Sequence, residues 1–74
     1  LAYQSVRKRV AEGILRIARQ LNSETITISR IDLASMSGIA PESVSRTLTD
    51  FKEEGMIEKK GSTIQIIDMR KLEK

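Results

Sequence analysis

Val6, Val10, Ile14, Ile17 and Leu21 recur at spacings of four, four, three and four, the period of a helix with one apolar face. The predicted helix runs from about Ala2 to Leu21, with Ala11, Leu15 and Ala18 widening that face and Asn22 as its stop. Arg7, Arg9, Arg16 and Arg19 fall largely elsewhere around it. The next segment, "ETITIS" at residues 24–29, alternates polar and β-branched residues and reads as a short strand. Ser29 and Asp32 form an S-x-x-D pattern, in which the serine accepts from an orphan backbone amide and the acid reaches back to the cap. A second helix, Arg30 to Ser37, starts there with Ile31, Leu33, Ala34 and Met36 as apolar contacts, and Gly38 ends it.

Ile39 and Ala40 turn the chain, and Pro41 opens a third helix at the position where its missing amide hydrogen has no partner to lose. Val44, Leu48 and Phe51 give that helix a buried stripe down to Gly55. "MIEKK" and "TIQII", residues 56–60 and 63–67, read as two strands joined by Gly61 and Ser62 in a type II′ turn. The tail "DMRKLEK" predicts a last helical turn capped by Asp68. Two helices joined by a short glycine-containing turn and followed by a hairpin make a helix-turn-helix with a wing. The expected fold is mainly α with a small β-hairpin: a winged helix-turn-helix, three-helix core plus wing, filling residues 1–74 as a single domain.

With 74 residues, every helix must share one small core. The chain has no cysteine and no histidine, which removes disulfides, thiol nucleophiles, imidazole bases and the usual zinc ligand sets. No carboxylate pair or glycine-rich phosphate loop indicates catalysis, so the expectation is a non-enzyme without metal and without a cofactor in this domain. No apolar run approaches the ~20 residues of a membrane span, and the start lacks a signal-peptide core. A soluble, cytoplasmic protein without membrane contact is expected. The opening on Leu1 rather than methionine leads to the expectation of a segment of a longer protein or a processed chain.

Charge changes this picture through its distribution. Arg7, Lys8, Arg9, Arg16 and Arg19 against Glu12 leave residues 1–21 at +4, and residues 56–74 carry +2. The middle, residues 22–55, carries −3. Basic ends around an acidic centre suit a polyanion, although a solvated surface also scatters lysines. With Val44, Leu48 and Phe51 inward, Glu42, Ser45, Arg46 and Thr49 project outward on the third helix, with Ser43 at the flank. These residues lie in the half that a recognition helix sets against base edges in the major groove. Arginine donates two hydrogen bonds to guanine and a carboxylate accepts from cytosine, so Glu42 and Arg46 suit one G·C pair. Their spacing taken alone favours an i, i+4 surface ion pair over that role. Asp50, Glu53 and Glu54 would repel phosphate and must point away from a duplex. Candidate phosphate contacts are Arg7, Lys8, Lys59, Lys60, Ser62, Thr63 and Thr49, each with simple solvation as its alternative.

From Ile26 to Asp68 the chain resembles the C-terminal winged helix of the cyclic-AMP receptor protein and fumarate-nitrate regulator family of bacterial transcription regulators. "DLASMSGI" matches the first helix and turn, "ESVSRTL" the recognition helix, "FKEEGMI" its exit and "GSTIQIID" the wing. "VRKRVAEGILRIA" resembles the helix that follows the family's long dimerisation helix. The resemblance implies sequence-specific DNA binding, with a recognition helix at about 41–54 in the major groove and the wing, 56–67, on the phosphate backbone. Glu42 and Arg46 match the family's base-reading glutamate and arginine. Ser45 matches the serine of the E-x-x-S-R form, which implies a half-site like TTGAT rather than TGTGA, with Ser43 beside it.

The family further implies an upstream sensor domain, a homodimer on a palindromic double-stranded site, and RNA polymerase as a further partner. Two positions depart from its pattern. Ala40 stands where many members carry a serine or threonine cap, which forfeits about 1 kcal/mol. Pro41 stands where the cyclic-AMP branch carries an arginine. The alternative function is a winged helix acting as a protein-protein interaction module, favoured by the acidity of the third helix.

Overall fold

The computed structural model describes residues 2–73; Leu1 and Lys74, the last residue of the predicted C-terminal turn, lie outside the described residues. In chain order the elements are α1 (Tyr3–Leu21), β1 (Thr25–Thr27), α2 (Arg30–Ser37), α3 (Pro41–Glu53), β2 (Ile57–Lys60), β3 (Thr63–Ile66) and α4 (Met69–Glu73).

The periodic face of α1 buries Val10 and Ile14 completely, with Ala11, Leu15 and Ala18 beside them, while Val6 and Ile17 pack at its edge. Leu21, predicted as part of that face, is 59% exposed in the last turn, just before the chain leaves the helix. Asn22 ends α1 in the left-handed region at φ 50°, a conformation asparagine tolerates better than most residues. Midway along α1, Gly13 lets α2 come close: a Cβ there would stand 3.0 Å from Ser37 Oγ and 3.1 Å from Leu33 Cδ1.

Ser29 caps α2 as predicted, its hydroxyl accepting from the Asp32 amide at 3.1 Å. The return bond from the Asp32 side chain is not formed among the described residues, so only half of the box is present. Of the four apolar contacts expected of α2, Leu33 and Ala34 are buried, whereas Ile31 is 65% and Met36 42% exposed. At 100° per residue Ile31 lies almost opposite Leu33, and a helix of this length can turn only one narrow face inward.

Gly38 closes α2 at φ 68°, with its amide and that of Ile39 both bonded to the Ala34 carbonyl. Ile39 drops into the core, Ala40 caps α3 without a side-chain bond, and Pro41 takes the first turn. Val44, Leu48 and Phe51 are buried as predicted, and Thr47 is buried among them. Its hydroxyl donates to the Ser43 carbonyl at 2.8 Å, so Thr47 brings no unpaired polar group into the core.

The hairpin does not stand alone. β1 pairs antiparallel with β3 (Ile26 opposite Ile64), and β3 pairs with β2 (Lys60 opposite Thr63), giving a three-stranded sheet in the order β1-β3-β2. A positive φ at Gly61, and none at Ser62, is the type II′ pattern expected of the turn. Ile26, Ile57, Ile64 and Ile66 cover the helices with the inner face of the sheet. Asp68 accepts from the Lys71 amide at 3.2 Å and so caps α4, whose Leu72 is buried. Among the described residues no helix is long and apolar enough to cross a membrane.

The turn yields a clean test. A Cβ on Gly38 would meet only Arg9 Nη1, at an ordinary 3.7 Å, so Gly38→Ala costs backbone conformation rather than space. The expected loss is about 1–2 kcal/mol in urea unfolding, with Gly38→Asn losing less; an unchanged midpoint for Gly38→Ala would show that the turn imposes no such constraint.

Candidate nucleic-acid interface

Burial of Val44, Leu48 and Phe51 sets the rotation of α3, and the predicted surface residues emerge on its other side. Glu42, Arg46 and Thr49 are exposed, while Ser43 and Ser45 are half-buried. Ser45 is a junction: its hydroxyl accepts from Arg30 Nη1 at 3.0 Å, and its carbonyl accepts from the Thr49 hydroxyl at 3.1 Å. Arg30, the first residue of α2, thereby joins the first half of α3. Sequence reading passed it over as one charge in an acidic region, although its place directly after the Ser29 cap puts it at the end of α2.

Glu42 and Arg46 do not form the ion pair that their spacing permits. Among the described residues the ion pairs are Arg7–Glu54 and Arg19–Glu73. Arg46 instead lays its guanidinium over the Tyr3 ring, 5.1 Å from the centroid. The Tyr3 hydroxyl donates to Asp50, one turn further along α3. Burial, then the bond to Asp50, raises the Tyr3 pKa above its usual value, so the hydroxyl keeps its proton at neutral pH.

One turn along α1 the arrangement repeats with the roles exchanged. Arg7 donates through Nη1 and Nη2 to the two oxygens of Glu54, at 2.6 and 2.7 Å, and its guanidinium lies 5.1 Å from the Phe51 centroid. The bonds from Arg7 pull the Glu54 carboxyl below its usual pKa. Asp50 and Glu54 are thus turned toward α1, and Glu53 is exposed. Arg7, a predicted phosphate contact, is engaged by Glu54, whereas Lys8 is exposed.

At the hairpin tip Lys60 and Ser62 are exposed, and Lys59 and Thr63 are half-buried. Lys59 Nζ donates to the Gly61 carbonyl at 2.7 Å, closing over the turn. The Ser62 carbonyl accepts from the Ile28 amide at 2.9 Å, which ties the tip to the end of β1. Lys60 lies directly across the ladder from Thr63, so the four predicted wing residues occupy one small rim.

Glu54 supplies a pH-dependent test. A carboxyl whose folded pKa is lowered adds stability above its unfolded pKa, about 4.3, and loses it as pH falls through the folded value. Urea unfolding from pH 7 to pH 3 is expected to show an acid-end loss that is smaller in Glu54→Gln. Superimposable profiles for the two proteins would remove the pair as a source of stability.

Comparison with known proteins assigns this architecture. The model of the Crp-like helix-turn-helix domain matches residues 8–74. The cyclic AMP receptor protein of Thermus thermophilus is 32% identical over 73 residues, which cover 99% of this chain and 34% of the relative. The crystal structure of the Thermus thermophilus catabolite activator protein superposes with a TM-score of 0.91 at 32% identity, over 99% of this chain and 34% of that one. A Crp/Fnr-family structure from Eubacterium rectale gives a TM-score of 0.86 at 28% identity, covering 90% of this chain and 31% of its own. The chain spans about a third of the length of these relatives. With the family model matching residues 8–74 and 32% identity to a relative across nearly the whole chain, the chain belongs to the Crp-like helix-turn-helix family.

Proposed function

We propose that this chain binds double-stranded DNA sequence-specifically as the reading domain of a transcription regulator, with the first half of α3 in the major groove. The observation that carries this reading is the division of charge along α3. Glu42 and Arg46, in its first half, stand exposed and unpaired with each other, while Asp50 and Glu54, further along the same stripe, are bound by α1. The helix can approach a polyanion because two of its acids are already engaged.

In this arrangement Glu42, Ser43, Ser45 and Arg46 meet base edges. Arg46 donates to guanine O6 and N7, and Glu42 accepts from cytosine N4. Lys60, Ser62, Thr63 and Lys59 on the wing, with Thr49 and Lys8, meet phosphates. Arg30 joins them, because a guanidinium beside Ser45 lies at the edge of the reading surface. Arg7 acts instead as the brace that holds Glu54 against α1. The use of this fold as a protein-interaction module drew on the acidity of α3, and that acidity is partly neutralised inside the domain.

A regulator of this kind works in the cytoplasm as a homodimer on a palindromic site, its two recognition helices one DNA turn apart, and can contact RNA polymerase there. It carries out no catalysis, and this domain needs no cofactor. Dimerisation and any effector belong to segments outside this chain.

Anisotropy titrations of labelled palindromic and scrambled duplexes, at fixed salt, test the reading; equal affinity for both would reject it. Arg46→Ala is expected to cost about 1–3 kcal/mol and to relax preference at one G·C pair. Lys60→Ala is expected to weaken all sequences alike and to lower the salt slope by about one. Intact preference in Arg46→Ala would remove that residue from base reading.

A further inference from the structure

The pairing of Tyr3 with Arg46 has no counterpart in what a helix-turn-helix requires for folding. Tyr3 is 37% exposed, so its ring contributes little to the core. Its position is nevertheless fixed from two sides: the hydroxyl donates to Asp50, and the ring face lies under the Arg46 guanidinium. Arg46 and Asp50 are one turn apart on α3, so the ring sits between them and cannot follow one without leaving the other.

A guanidinium held over a ring by a cation–π contact spends none of its N–H donors on that contact. Arg46 makes no hydrogen bond or ion pair among the described residues, and those donors are uncommitted. An unsupported arginine must freeze several rotatable bonds when it meets a base, whereas one already stacked has part of that ordering done.

Resting on the DNA-reading role above, we infer that Tyr3 is a positioning residue for Arg46: the first turn of α1 holds the guanidinium over the Tyr3 ring and aims its donors, and so contributes to specificity without touching a base. The alternative is a packing role alone. In that case loss of the ring weakens the α1–α3 contact and lowers affinity for every sequence alike.

The experiment has a spectroscopic and a binding arm, both on this chain. Proton spectra of the wild type should show ring-current shifts at the Arg46 δ-methylene that Tyr3→Leu abolishes and Tyr3→Phe retains. Selection from a pool of randomised duplexes, compared between wild type and Arg46→Ala, identifies the base pair that Arg46 reads. At that pair Tyr3→Leu should lose about two- to fivefold in discrimination, the factor an exposed cation–π contact supplies. Other positions and the salt slope should be unchanged, and Tyr3→Phe should keep most of the discrimination. In the Arg46→Ala background Tyr3→Leu should have no further effect.

Uniform losses at all positions, a gain in discrimination, or an effect that persists without Arg46 would overturn the role of Tyr3. A wild-type chain with no base preference would overturn the DNA reading itself. A preference that survives Tyr3→Leu intact would overturn only the positioning role.

Discussion

The rotation of α3 about its own axis is the constraint on which the other features depend. Val44, Leu48 and Phe51 lie on one stripe, and burying each such side chain contributes roughly 1.5–3 kcal/mol. Turning the helix by one residue would expose part of that stripe and press Asp50 and Glu54, or Lys52 on the other flank, toward the core, where a lone charge is strongly unfavourable. The exposed set is therefore the complement of the buried one. Thr47 shows how tightly the angle is held: its side chain is fully buried, and its hydroxyl is satisfied by the carbonyl one turn back.

Once α3 is set, α1 settles against its second half through two matched contacts. Tyr3 lies under Arg46 and bonds to Asp50; one turn on, Arg7 lies over Phe51 and bonds to Glu54. Each contact at an exposed site is worth only about 0.5–1 kcal/mol. Together they fix the sliding and rotation of one helix on the other, because aromatic and cation change places between them. They also resolve an electrostatic conflict, since a helix that approaches phosphate carries acids along its length. α1 supplies a hydroxyl and a guanidinium to two of those acids.

Sequence patterning reached most of the fold. The spacing of Val10 and Ile14, the S-x-x-D cap, Gly38, Pro41 and the Gly61–Ser62 turn each has a local physical cause, and each element stands within a few residues of its expected place. The errors arose where partners are distant in sequence. Ile31 and Met36 read as core because they are apolar, yet only the crossing of α2 over α1 decides which face is inward. The partner of β1 was absent from the reading because pairing with β3 closes a loop across both α2 and α3.

The candidate site divides along the same line. The sequence by itself determined that Glu42, Ser43, Ser45, Arg46 and Thr49 lie away from the core, because helix period and apolar stripe leave no other choice. It also determined the wing rim, because a two-residue turn fixes which side chains flank it. Only the tertiary structure decided what these residues do with their neighbours: that Arg7 belongs to Glu54, that Arg30 reaches Ser45, and that Arg46 stacks on Tyr3 rather than pairing with Glu42. The reason is one of range. Helix period and turn chemistry act over a few residues, whereas the groups that engage these side chains lie 15 to 47 residues away along the chain and meet them only when the core has formed.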